Sequence, residues 1–300
     1  MMNKIDKYKA ESAIGRVLVI AVIVLLLLIT LFPFFWVVRT SLTPHKLIFA
    51  ESTSMIPSQL TLKNYARVLG LIPAQEAIAL GGTGQHVNFL INLRNSLVVA
   101  ILTTVFQVLF CSMAGYGFAR LEFPGRNKIF ALILAAMMVP GVVMMIPNFV
   151  FIRQLKLLNT YAGIVAPAFF MTPYGVFFMR QFFLGINKEI EEAAYLDGAG
   201  QYKTFFMIIL PLMQTALVTL AVTTFINSWN DYMWPLIVGK KEELRTLTVA
   251  LGVFRSQTPQ GQPDWSGMMA GTVLAIVPAM IIYSFMGKKI VNSIGFNGFK

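Results

Sequence analysis

Six apolar blocks, each long enough to cross a bilayer, leave this chain few folds to choose from. They cover about residues 17–38, 95–117, 128–150, 161–184, 207–237 and 268–287, and a hydrocarbon core roughly 30 Å thick takes about 20 apolar residues per helix. Read as helices, the blocks predict an all-α membrane protein with six transmembrane helices. Composition excludes the ordinary soluble core: 57% of residues are hydrophobic and 12% charged, where soluble domains carry roughly 45–50% and 25%. The first block follows Lys4, Lys7, Lys9 and Arg16, as a secretory signal would. Its apolar run exceeds the usual signal core of about 7–15 residues. It also ends in Phe32-Pro33-Phe34-Phe35-Trp36, an interfacial aromatic cluster with no small-residue cleavage site, so it reads as a retained first helix.

Machinery for intrinsic chemistry is missing from the pattern. The single cysteine, Cys111, lies in the second block and excludes an internal disulfide. His45 and His86 are far apart in the first outer segment and read as surface residues, so no metal site is expected. No GxxxxGK[ST] loop occurs, so the chain cradles no nucleotide itself and is not expected to be an enzyme or to carry a cofactor. The net charge of +11 is dispersed over the flanks of the blocks, which suits anionic lipid headgroups and argues against nucleic acid. Basic residues divide almost evenly between the two sides, so charge bias alone does not orient the chain.

One polar stretch between the fourth and fifth blocks is far more specific. It reads EAAYLDGAGQYKTFFMIILP, with Glu192-Ala193-Ala194, Gly198, Ile208, Leu210 and Pro211 at fixed offsets. Asn187 is placed to cap a short helix whose first turns carry Glu189, Glu191 and Glu192, favourable at the positive end of the helix dipole. Ile190, Ala193, Ala194 and Asp197 share a face by spacing, and the two alanines permit close approach of a partner. Gly198 predicts a left-handed stop, and Pro211 a kink near the start of the fifth span.

These offsets match the EAA-x3-G-x9-I-x-L-P signature, and the chain resembles the permease subunits of binding-protein-dependent ABC importers. Three further stretches resemble the carbohydrate branch of that family, the MalG-like subunits of maltose-type importers. They are Tyr116-Gly117-Phe118-Ala119-Arg120 with Phe123-Pro124-Gly125, then Trp229-Asn230-Asp231 with Trp234-Pro235-Leu236, and a glycine-rich ending from Ser293 to Lys300. The ending keeps the family's glycines and a lysine but not their order.

The resemblance implies the type I, maltose-type permease fold in a bacterial cytoplasmic (inner) membrane, with both termini cytoplasmic. Residues 1–16 would form a cytoplasmic segment, 17–287 the transmembrane domain with its coupling loop at 187–211, and 288–300 a cytoplasmic tail. It implies four kinds of partner: a second, MalF-like permease, two ATP-binding subunits holding ATP and Mg, an extracytoplasmic solute-binding protein, and a carbohydrate substrate, neutral or acidic. Glu191, Glu192, Ala193, Ala194, Asp197 and Gly198 would meet the ATPase, and Gly295, Phe296, Gly298, Phe299 and Lys300 would reach it from the tail. Ser256, Gln257, Thr258, Gln260 and Gln262 would project toward the binding protein. Trp229, Asn230, Asp231, Tyr232 and Trp234 would line the substrate path, since aromatic faces and hydrogen-bonding groups together suit sugars. Pro140, Pro147, Pro167, Pro173 and Pro278 are expected bend points. The competing reading is an ion-coupled secondary transporter or channel. Such a protein would show ionisable residues along a buried pathway, whereas Asp231 is the lone acid in any predicted span.

Overall fold

The computed structural model describes residues 4–83, 87–255 and 261–294, divided into two compact units, residues 1–86 with 253–274, and 87–252 with 275–300. In the first unit α1 (Lys4–Ser41) is one continuous helix despite Pro33. Its large side chains from Val17 to Phe35 are exposed within this chain, an arrangement suited to lipid or another subunit and not to water. Two short helices follow, α2 (Lys63–Val68) and α3 (Ala74–Ala79).

A buried ionic network holds this unit together. Arg67 of α2 makes two hydrogen bonds to Asp264, at 2.7 and 3.1 Å, and further bonds to Ser266 and Asn64. Asn64 in turn donates to the carbonyls of Ser41 and Thr43 at the end of α1. Asp264 also caps the helix Trp265–Ile294 by accepting the Gly267 N–H at 2.8 Å. His45 is only 7% exposed and sits 3.8 Å from Asp264, so the expectation of a surface histidine is corrected. Its partners come from α2 and the last helix, which no local pattern reveals.

Burial holds the His45 pKa below its ordinary 6.5, assisted by the Arg67 charge and opposed by Asp264. The folded state therefore binds this proton less readily than the unfolded chain. Its contribution to stability is complete above about 6.5 and is lost as pH falls below that value. Amide protection in residues 41–83, corrected for the intrinsic exchange rate at each pH, should fall on acidification, and His45→Gln should flatten that response. A pH-independent profile in the unaltered protein would refute the assignment.

The second unit is built on α4 (Phe89–Arg120), which packs most extensively against two later helices. The chain then runs α5 (Arg126–Ala136), α6 (Gly141–Gln154), α7 (Tyr161–Val165) with a 3-10 turn Ala166–Ala168, and α8 (Pro173–Leu184). Next come α9 (Glu189–Leu196), α10 (Gln201–Lys203), a π-helical turn Thr204–Ile209, α11 (Leu210–Leu212) and α12 (Gln214–Asn230). It closes with α13 (Met233–Val238), α14 (Leu247–Leu251) and α15 (Trp265–Ile294), which bridges both units in sequence.

Among the described residues three helices are long and apolar enough to cross a membrane unbroken, Gly15–Ser41, Phe89–Arg120 and Trp265–Phe285. Three more segments are bent pairs, and each counted as one span brings the total to six. The break at Pro140 turns α5 into α6 by 102°, the one across residues 169–172 turns by 49°, and that at Met213 by 79°. Pro140 precedes α6 in an extended conformation, and Pro173 opens α8 behind a Thr172 cap on Gly175, as prolines at a helix start do. Pro147 and Pro278, also expected to bend their helices, lie inside continuous ones. The fifth segment ends earlier than expected: α12 stops at Asn230, and Asp231 turns extended before the separate α13. Asp231 accepts the Trp234 N–H, which starts the new helix instead of extending the old one.

The α4–α8–α12 core is apolar and aromatic. Tyr116 packs on Phe183 at 5.6 Å and on Phe205 at 4.9 Å, around fully buried Met179 and Ile209. Gly115 lets α4 and α8 approach, because a Cβ there would lie 2.7 Å from Met179 Cβ and 2.9 Å from the Arg180 nitrogen. Gly115→Ala should cost about 1–3 kcal/mol of stability by overpacking. Gly117→Ala, two residues away with nothing within 4 Å among the described residues, should be neutral or slightly stabilising. Thermal unfolding of the purified variants checks the contrast, and equal melting points would sink it.

Candidate functional site

Two sites emerge in the second unit. The first is α9 with its C-terminal stop. Asn187 accepts the Glu189 N–H and donates to the Glu189 carboxylate, tying down the entry to the helix. At the exit the Ala199 N–H bonds the Ala194 carbonyl at 2.9 Å and the Gly198 N–H bonds that of Tyr195 at 3.0 Å. Gly198 has φ +80°. This paired closure on a left-handed residue is the Schellman arrangement, and glycine enters it with little strain.

Of the face its spacing predicts, Ile190, Ala193 and Asp197 are exposed and Ala194 is turned inward. Glu191 and Ala194 are buried against the rest of the chain, while Glu192, Ala193, Asp197 and Gly198 are exposed. Glu191 forms an ion pair with Arg120 at 3.5 Å, so of the proposed ATPase-contacting residues Glu191 and Ala194 are placed inward. The outer face instead adds Leu196, 89% exposed, with Tyr195 and Ile190. Sequence reasoning passed over Leu196. The available signal was three apolar side chains, Ile190, Tyr195 and Leu196, in one short polar loop, since exposed apolar residues gathered in a patch mark an interaction surface.

The second site is a cavity of about 730 Å³ among α4, α6, α7, α8, α12 and α13. Thr103 and Gln107 reach it from α4, Asn148 from α6, and Thr223, Thr224, Asn227 and Ser228 from α12. Its rim includes Asn230, Asp231 and Trp234. Three of the five residues expected on the path are therefore together at the cavity. Trp229 is not: it is 3% exposed, and its indole N–H donates to the Ala275 carbonyl. Tyr232 is turned away as well, its hydroxyl lying close to Gly252. The indole N–H of Trp234 donates to the Ile164 carbonyl at 3.0 Å, fixing the ring at the rim. The missed lining had a legible signal, a polar stripe at 223, 224, 227 and 228 that returns to one helix face inside an apolar span.

A polar ladder fixes the end of α4 beside this cavity. Asn95 donates to the carbonyls of Glu243 and Arg245 and accepts from the Tyr161 hydroxyl, and Ser96 accepts the Leu247 N–H. Gln262 is exposed. The other residues assigned to binding-protein contact, Ser256, Gln257, Thr258 and Gln260, lie outside the described residues, as do the tail residues Gly295, Phe296, Gly298, Phe299 and Lys300.

Comparison with known proteins supplies the family. Residues 107–295 match the model of the family described as "Binding-protein-dependent transport system inner membrane component". The chain is 33% identical over 296 residues to the arabinooligosaccharides transport system permease protein AraQ of Bacillus subtilis, covering 98% of this chain and 99% of that protein. It is 32% identical over 290 residues to the trehalose/maltose transport system permease protein MalG of Thermococcus litoralis, covering 95% and 96%. A crystal structure of a bacterial ABC transporter involved in the import of the acidic polysaccharide alginate contains a chain of the same fold. It superposes with a TM-score of 0.77 at 22% identity, covering 93% of this chain and 97% of that one. The matched region holds α9, most of the cavity and well over half the sequence, so the chain belongs to the inner membrane components of binding-protein-dependent transport systems.

Proposed function

We propose that this chain is the permease subunit of an ATP-driven carbohydrate importer, forming half of the translocation path and coupled through α9 to a separate ATPase. The observation that carries this reading is a rigidly terminated α9 with an exposed apolar tip at Leu196, in a chain whose spans line a cavity with hydroxyl and amide side chains set in apolar walls. The cavity lining is rich in hydroxyl and amide groups, which pair with sugar hydroxyls. The names of AraQ and MalG, both oligosaccharide or disaccharide systems, support the same substrate class.

The complex is then a pair of permeases, this chain and a MalF-like one, with two ATP-binding subunits and an extracytoplasmic binding protein. The ATPase subunits hold ATP and Mg. Their closure displaces α9, and the bundle rocks between inward- and outward-facing states that differ in affinity for ATPase and binding protein. Docking of α9 requires it to be cytoplasmic, which places both termini on that side. The segment around Ser256–Gln262 then faces the binding protein, and the tail from Gly295 lies near the ATPase.

Co-purification tests the reading. The chain should bring down an ATPase subunit, and the reconstituted assembly should import oligosaccharide only with ATP and binding protein. Import driven by an ion gradient without ATP would overturn it.

A further inference from the structure

Beneath the exposed face of α9 lies a buried polar cluster that docking itself does not use. Arg120, the last residue of α4, donates to the Ile186 carbonyl and pairs with Glu191 at 3.5 Å, with side chains only 4% and 10% exposed. That separation is long for a hydrogen bond. Among the described residues, Arg120 Nε, Glu191 Oε1 and the buried hydroxyls of Tyr116 and Thr204 make no hydrogen bond of ordinary geometry, although the Tyr116 hydroxyl already faces Glu191 and Tyr195. Buried polar groups are nearly always satisfied, so four open groups at one junction are unusual. They belong to α4, α9 and the π-helical turn Thr204–Ile209, the three elements that meet here.

The same helix that ends in Arg120 carries Gln107 and Thr103 into the cavity. Thirteen residues at about 1.5 Å each put Gln107 roughly 20 Å from the joint along a stiff rod. A buried pair resists separation, since removing one partner leaves an uncompensated charge. A pair with open valences can exchange one set of partners for another without exposing charge to the apolar core.

We propose that Arg120 and Glu191 form the joint carrying displacement of α9 into α4, with Tyr116 and Thr204 as the partners taken up when α9 moves. They are positioning residues for transport, and the proposal rests on reading α9 as the ATPase dock. Glu191→Gln keeps the shape and removes the charge. In the assembled complex with its ATPase and binding protein, it should lower the ratio of stimulated to basal hydrolysis about tenfold, within the usual range of coupling between sites. More ATP should be consumed per sugar imported. The exchange Arg120→Glu with Glu191→Arg should recover part of the loss, as a mere volume effect would not.

If Glu191→Gln fails to assemble, Tyr116→Phe and Thr204→Val decide, because each removes a hydroxyl or its equivalent and keeps the packing. Both should raise the ATP consumed per sugar. Normal stoichiometry in Tyr116→Phe and Thr204→Val together, or in Glu191→Gln alone, overturns the joint. The docking reading is tested apart from it by Leu196→Asp on the opposite face. Retention of the ATPase by that variant would remove the dock itself, whatever the pair variants do.

Discussion

Gly198→Val should insert into the membrane and fold, yet lose most of its coupled ATP hydrolysis. No steric clash explains this, since a Cβ at Gly198 would meet nothing within 4 Å among the described residues. The effect is conformational. At φ +80° a β-branched side chain is strained, and a left-handed residue of this kind costs about 1–3 kcal/mol. Relief of that strain opens the bonds from Gly198 to Tyr195 and from Ala199 to Ala194. Leu196 and Asp197 would then swing away from the geometry that a rigid dock requires. Strain of that size corresponds to roughly ten- to hundredfold weaker docking. Gly198→Asn, which tolerates the left-handed region better, should lose much less. Equal, normal turnover in both variants would remove Gly198 from the coupling element; equal loss in both would make side-chain bulk, not backbone conformation, the cause.

That helix stop was legible because its cause is local. A glycine after an amphipathic octet, with acids in the first turn, specifies a capped helix and a left-handed exit whatever surrounds it. The inward turn of Glu191 was not legible, because it depends on Arg120 arriving from another helix. His45 was hidden in the same way: its neighbour Asp264 also holds Arg67, 197 residues away. Proline gave only half an answer. Pro140 stands at the start of α6 while Pro147 and Pro278 sit inside continuous helices, and the difference lies in whether neighbouring elements allow the chain to turn. The short run from Trp229 to Trp234 reads as one sugar-like cluster, but α12 ends within it at Asn230 and its side chains diverge. Asn230, Asp231, Met233 and Trp234 line the cavity, whereas Trp229 and Tyr232 pack elsewhere in the protein.

That split gives the second large effect. Gln107→Leu with Asn227→Leu should leave assembly intact and reduce sugar uptake by about ten- to hundredfold, since each loses a hydrogen bond worth roughly 0.5–1.5 kcal/mol. The two side chains reach the cavity from α4 and α12, so together they remove polar contacts from two of its walls. Asn230→Ala should act in the same direction. Asp231→Asn should act more weakly on structure, because an amide oxygen can still accept the Trp234 N–H that Asp231 receives at 3.4 Å. Trp229→Phe should behave oppositely. It leaves the Ala275 carbonyl without its indole donor and loosens the contact between α12 and α15. Complex yield should fall, while each surviving complex transports at the normal rate. Uptake normalised to assembled complex separates the two classes. If Trp229→Phe changes substrate preference while Gln107→Leu with Asn227→Leu does not, the path runs along the opposite face of α12, and the cavity is only a packing defect.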